Sequence, residues 1–168
     1  MDNIIPTYIY TDGSCCGNGL KENEGGFAVL ALDKNENLLY NYNKRECNTT
    51  NNRMELKAIL YSFLNYGVNI NNKEFINNIP ILYTDSNYCL QTLTSWMFNW
   101  ARNSWTKSDK KTPENLDLIK AYYDWYQKGY RIDIRKVKGH NGNKWNEIVD
   151  QLATGKITKE KVEELYGK

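Results

Sequence analysis

No apolar run in this chain approaches the ~20 consecutive residues that a membrane-spanning helix requires, so a membrane protein of that kind is excluded. The N-terminus lacks the basic start and long apolar stretch of a secretory signal peptide, and Pro6 and Asp12 interrupt it early. The expectation is a chain that begins close to Met1 and stays inside the cell, in the cytoplasm by default. Cysteine is scarce: four residues, at 15, 16, 47 and 89, with the first two adjacent and none in paired CxxC spacing. That argues against a zinc site, and for an intracellular protein it predicts free thiols rather than disulfides. Internal repeats and low-complexity linkers are also missing, and 168 residues fit one ordinary domain able to bury a core without staples. What is present, 40% apolar and 25% charged residues, is the composition of a soluble globular protein.

The formal net charge of +2 says little until it is mapped. Charge concentrates between Trp96 and Lys111, where the local sum is +3, and between Lys128 and Lys138, where it is +4. A basic cluster by itself is most often a solvated face. The first cluster, however, is interleaved with Trp96, Trp100 and Trp105, and surfaces that stack bases or touch sugars combine positive charge with aromatics in this way.

Patterning predicts a strand over Thr7–Thr11, ended by Asp12-Gly13, and a hairpin of Gly25–Leu32 and Leu38–Glu46 around the polar turn 33–37. Apolar spacing predicts a helix over Asn51–Tyr66, capped by Thr50 or Asn51 and stopped at Gly67. A buried strand is expected over Ile79–Thr84 despite Pro80, then helices over Asn87–Met97 and Asn115–Lys128. A strand over Arg131–Val137 and a last core helix over Lys144–Thr154 follow. Residues 1–155 read as the domain and 156–168 as a charged amphipathic C-terminal tail whose Ile157, Val162 and Leu165 pack back on it. Three strands joined by tight turns, then strands alternating with helices, predict an α/β protein with a mixed sheet flanked by helices.

Two strands end alike, Asp12 after Tyr-Ile-Tyr-Thr and Asp85 after Ile-Leu-Tyr-Thr. Carboxylates past strand ends lie where open α/β sheets place ligands, and two such anions brought together repel unless a divalent cation joins them. Glu55 lies one turn into the first helix and Asp150 within the last. Four carboxylates without a histidine or thiolate partner suit a hard, oxygen-seeking ion such as Mg²⁺ or Mn²⁺. A lone Thr-Asp-Gly is a common turn, and any one of these acids could be a solvated surface group.

The combination is far more specific. The strings YTDGSCCGNG, TTNNRMELKAI, LYTDSNYC, VKGHNG and WNEIVDQLA have the order and spacing of the type I ribonuclease H family, which the chain resembles from about Thr7 to Thr154. WMFNWARNSWTKSDKKTPENLDL is similar, without a gap, to the basic protrusion of the bacterial-type enzymes. The resemblance implies a five-stranded sheet, three antiparallel strands then parallel ones. It also implies an endonuclease that hydrolyses the RNA strand of RNA–DNA hybrids, leaving 5′-phosphate and 3′-hydroxyl ends.

It implies further that Asp12, Glu55, Asp85 and Asp150 are the catalytic acids holding two Mg²⁺ ions ~4 Å apart, with Mn²⁺ able to substitute. His140, in Gly-His-Asn-Gly, matches the family's mobile-loop histidine, which helps product leave or moves a proton. Cys15, Gly17, Asn18 and Asn51 fall where the family contacts the hybrid backbone and minor groove, and Thr50 where it grips a DNA phosphate. Trp96, Trp100, Trp105, Lys107, Lys110 and Lys111 fall in the protrusion, the tryptophans in part as packing. Asn87 departs from the pattern: bacterial enzymes commonly have glutamine there, one methylene longer, which puts its RNA contact in doubt.

RNA would be told from DNA by its 2′-hydroxyls, with weak sequence preference because few contacts reach base edges. The protrusion, and the absence of a polymerase or integrase domain, argue against a reverse-transcriptase-type ribonuclease H or an integrase-like nuclease. A non-catalytic hybrid-binding module would be favoured by loss of one carboxylate, and all four are present. No motif supports a single-ribonucleotide cutter. The hybrid duplex is the expected partner, with a monomer as the default and no membrane or protein partner implied.

Overall fold

The computed structural model describes residues 4–16, 23–137 and 143–167. Its centre is a five-stranded sheet in the order β3-β2-β1-β5-β7. The strands are β1 (Tyr8–Cys16), β2 (Glu24–Leu32), β3 (Leu38–Cys47), β5 (Ile81–Thr84) and β7 (Asp133–Lys136). The first three pair antiparallel, and β5 and β7 join β1 as parallel neighbours. Two short strands, β4 (Val68–Asn69) and β6 (Tyr130–Arg131), form a separate antiparallel pair. The expected strand over Arg131–Val137 is therefore divided at Ile132, its first part pairing away from the main sheet.

Alternation along β2 explains why both sheet faces are covered. Phe27, Val29 and Ala31 join one core with Met54, Ile59 and Phe63 of α1 (Asn51–Tyr66) and Ile119 and Tyr122 of α4 (Leu116–Gln127). Ala28, Leu30 and Leu32 join a second with Ile148, Val149 and Leu152 of α5 (Lys144–Thr154) and Val162 of α6 (Lys159–Tyr166). A strand buried on both faces reads as a near-continuous apolar run, as 27–32 does. In the C-terminal segment Val162 is fully buried and Tyr166 meets Trp145 edge-on, but Leu165, expected to pack back, is 52% exposed. Tyr166, four positions after Val162 on the same side of α6, takes the place against Trp145, and Leu165 lies at the margin of that contact.

The helix expected over 87–97 runs further. It comprises α2 (Asn87–Gln91), a π-helical turn (Thr92–Trp96) and α3 (Met97–Arg102). All four cysteines are free thiols, as expected. No helix among the described residues is long and apolar enough to cross a membrane.

The first strand departs from its expected bounds, because Asp12-Gly13 does not end it. On one side β1 continues to Cys16 paired with β2, through Asp12 opposite Ala28 and Gly13 opposite Phe27. On the other, its parallel pairing with β5 stops at Tyr10 opposite Tyr83. Asp12 is thus mid-strand on one edge while lying where the neighbouring strand has run out. Gly13 serves close approach rather than a turn: a Cβ there would come within 2.3 Å of the Glu55 backbone nitrogen.

Candidate active site

Asp12, Glu55 and Asp85 each offer a carboxylate oxygen, and those atoms lie within 4.8 Å of one another. Three separate pieces of local structure bring them together. β1 supplies Asp12, in reach of α1 because Gly13 lets the helix backbone settle onto the strand. α1 supplies Glu55; the helix starts at Thr50, whose hydroxyl accepts the Arg53 N–H at 3.1 Å. Asp85 occupies the single position between the end of β5 and Ser86, which caps α2 by accepting the Cys89 N–H at 3.1 Å. The buried Thr84 hydroxyl accepts the Ser86 N–H across Asp85, and Lys136 donates to the Asp85 carbonyl, so this corner is held from both sides.

Asp12 and Glu55 are buried and Asp85 is exposed, so the cluster opens to solvent on one side. Burial pushes the Asp12 carboxyl up to about 8, and the negative charges of Asp85 and Asp150 push the same way. Burial also raises Glu55 well above the usual carboxylate range, with Asp12 and Asp85 adding to it. Glu55 Oε2 is buried without a hydrogen-bond partner. A buried carboxyl oxygen without a partner, in a group crowded by two other carboxylates, is an unfavourable arrangement by itself, and a divalent cation resolves both faults at once. The donor set is all oxygen, which suits Mg²⁺ or Mn²⁺.

Asp150, on the exposed side of α5, stands outside this tight cluster and acts on it through Asp12, whose carboxyl its negative charge helps to push up. His140, Gly17 and Asn18 lie outside the described residues.

The remaining candidates fall in three places. Thr50 and Asn51 are exposed at the start of α1, and the Cys15 thiol donates to the Thr49 carbonyl at 3.4 Å, so Cys15 faces that same corner. Asn87 is exposed at the first turn of α2, beside Asp85. Trp96, 41% exposed, tilts against Trp100 with ring centroids 6.1 Å apart. Trp100 and Trp105 are half-buried against the core; Trp105 sits edge-on to Tyr123 at 5.1 Å with the Lys120 ammonium over its ring. Lys110 and Lys111 are exposed in the following turn, whereas Lys107 has Asp109 within 4.0 Å. Gly13 is a spacer between β1 and α1 whose only mark in the sequence is the Asp-Gly pair, which also reads as a turn.

The profile of the family described as RNase H matches residues 6–158. The chain belongs to the ribonuclease H family. It is 38% identical over 164 residues to ribonuclease H of Thermoanaerobacter sp. (strain X514), covering 93% of this chain and 92% of that relative. Ribonuclease H of Orientia tsutsugamushi (strain Boryong) is 39% identical over 166 residues, covering 96% and 89%. Among solved structures, a foamy viral protease–reverse transcriptase in complex with RNA/DNA hybrid superposes with a TM-score of 0.71 at 17% identity. The match covers 91% of this chain and 21% of that one. At that identity the likeness speaks for the ribonuclease H fold alone.

Proposed function

We propose that the chain hydrolyses the RNA strand of RNA–DNA hybrids, breaking the bond between phosphorus and the 3′ oxygen to leave 5′-phosphate and 3′-hydroxyl ends. The observation that carries the reading is the convergence of Asp12, Glu55 and Asp85, with Glu55 Oε2 buried and unpartnered. These residues, with Asp150 beside Asp12, would hold Mg²⁺, two ions on this reading, with Mn²⁺ able to substitute. When bound, divalent cations lower the pKa of water and offset charge that builds on phosphoryl oxygens. The chain's own groups orient the duplex. The Thr50 hydroxyl, its acceptor side engaged by Arg53, keeps its O–H to donate to a DNA phosphate. Asn51 and Cys15 would contact the minor groove, where 2′-hydroxyls mark the RNA strand, and the family resemblance gives Gly17 and Asn18 the same role. Asn87 lies beside Asp85, and its side chain, one methylene shorter than the family's usual glutamine, has less reach toward the RNA strand. The exposed Trp96, with Lys107, Lys110 and Lys111, would engage the DNA backbone. Trp100 and Trp105 tie that segment to the core, and their uncovered ring edges border the same surface. His140 moves a proton or assists departure of product.

Asp85→Asn keeps the shape of the β5 corner and removes its charge, so cleavage of a labelled hybrid should collapse while the circular dichroism spectrum is retained. EDTA should abolish parent activity and excess Mg²⁺ should restore it. Near-normal turnover of Asp85→Asn at saturating Mg²⁺ would refute the proposal, and hybrid binding without cleavage by the parent would favour a non-catalytic binding module. His140→Ala should slow turnover by ~10²-fold, within the range for one acid–base group, without changing which bond is cut. An unchanged rate would remove the histidine and leave the four acids as they are.

A further inference from the structure

Asp150 is exposed on α5, and that helix packs on the sheet through Ile148, Val149, Leu152 and Ala153. Apolar packing of this kind is non-directional and does little to fix how far the helix slides along β1. A polar contact at its C-terminal end adds a directional constraint. The Ala153 carbonyl accepts from Arg45 Nη1 of β3 at 2.6 Å and from the Ser14 hydroxyl of β1 at 3.4 Å. It is one of the carbonyls at the end of α5 that the helix leaves without a partner, and a cation is favoured at that end. Glu24 holds the guanidinium from behind, 3.2 Å from Nη2. Gly26 makes the room: a Cβ there would lie 2.5 Å from the Ala153 oxygen and 2.6 Å from Arg45 Nη1.

The clamp lies a short step along each element from the site. Ser14 follows Asp12 by two positions and so shares its face of β1. Ala153 follows Asp150 by three and so shares its side of α5. We infer that Arg45 is a positioning residue: by pinning the Ala153 carbonyl over Ser14, it sets the distance between Asp150 and Asp12 and hence the affinity of the site for divalent cation. The inference rests on the reading of Asp150 as part of that site.

The test measures Mg²⁺ binding to the free protein by titration calorimetry, beside kcat, KM for hybrid and melting temperature, in Arg45→Met, Arg45→Lys and Asp150→Asn. Arg45→Met keeps the apolar stem and should weaken Mg²⁺ binding by ~10-fold, the low end of what outer partners of a metal site contribute. Its kcat should fall at subsaturating Mg²⁺, KM for hybrid should stay put, and Arg45→Lys should recover most of the loss. In an Asp150→Asn background Arg45→Met should have no further effect on Mg²⁺. If Asp150→Asn shifts the Mg²⁺ titration and Arg45→Met lowers only the melting temperature, Arg45 is a helix cap and the inference is wrong. If Arg45→Met raises KM for hybrid with Mg²⁺ binding intact, Arg45 is a substrate contact and the inference is equally wrong. If Asp150→Asn leaves the titration unchanged, it is the placement of Asp150 that fails.

Discussion

At Asp12, folding stability and function pull in opposite directions. Its carboxyl, ordinarily near 3.8, is pushed up to about 8 by burial first and then by Asp85 and Asp150, and Glu55 moves the same way. A group whose folded-state value is raised favours the folded state while protonated, so its contribution is complete below the unfolded value and is lost as pH rises through the folded one. Without divalent ions, the melting temperature should therefore fall as pH rises from ~4 to ~8. Asp12→Asn, which cannot ionise, should flatten that fall and melt higher than the parent near pH 8, yet cleave almost nothing. Adding Mg²⁺ should stabilise the parent more than the variant, because the cation binds the folded site and not the unfolded chain. Thermal melts of both proteins across that range, with EDTA and then with Mg²⁺, check this. Parallel melting curves in EDTA would mean that Asp12 carries no buried charge.

At the level of elements, the approach of α1 to β1 assembles the site, and Gly13 permits it. Gly13→Ala would drive a methyl into the Glu55 backbone nitrogen, so α1 must shift. The expected cost is ~1–3 kcal/mol, the usual penalty of overpacking. Activity should fall disproportionately, since Glu55 moves away from Asp12. Chemical denaturation and turnover of the same variant measure the two losses, and full activity would show that α1 has slack. The helix bounds at 51–66 and 144–154, the β2–β3 hairpin, and the pairing of Asp12 with Asp85 at neighbouring strands were legible in the sequence. Amphipathic spacing and repeated Tyr-Thr-Asp endings are local signals. What was not legible is set by neighbours. Whether Asp12-Gly13 turns or continues depends on β2 persisting beside β1 after β5 has stopped. Ile132 divides its strand because β6 finds β4 as a partner. The Arg45–Ala153 contact joins residues 108 positions apart, a distance over which spacing carries no information.

Over the whole molecule, the question is whether the basic turn after α3 acts at a distance from the acids or merely keeps the protein soluble. Net charge is only +2, so attraction to a polyanion has to come from where the charge sits. Lys110 and Lys111 are exposed and Lys107 is half-exposed beside Asp109, while the rings of Trp100 and Trp105 anchor the segment to the core. A turn fixed in this way presents its ammonium groups at a constant offset from the carboxylates, as reading a duplex backbone requires. Each phosphate neutralised releases condensed counterions, giving a slope of log affinity against log salt of about −0.9 per contact on B-form DNA. Changing Lys107, Lys110 and Lys111 together to alanine should weaken hybrid binding and flatten that slope by ~1 to 3 units, nearer the lower figure because Asp109 already offsets Lys107. The turnover rate at saturating hybrid should persist, since none of these lysines touches the acids. Measuring KM at several salt concentrations for parent and variant decides between the readings. Coincident slopes would return the turn to an ordinary solvated face, and a lost turnover rate would place it against the reacting phosphate instead of along the flanking strand.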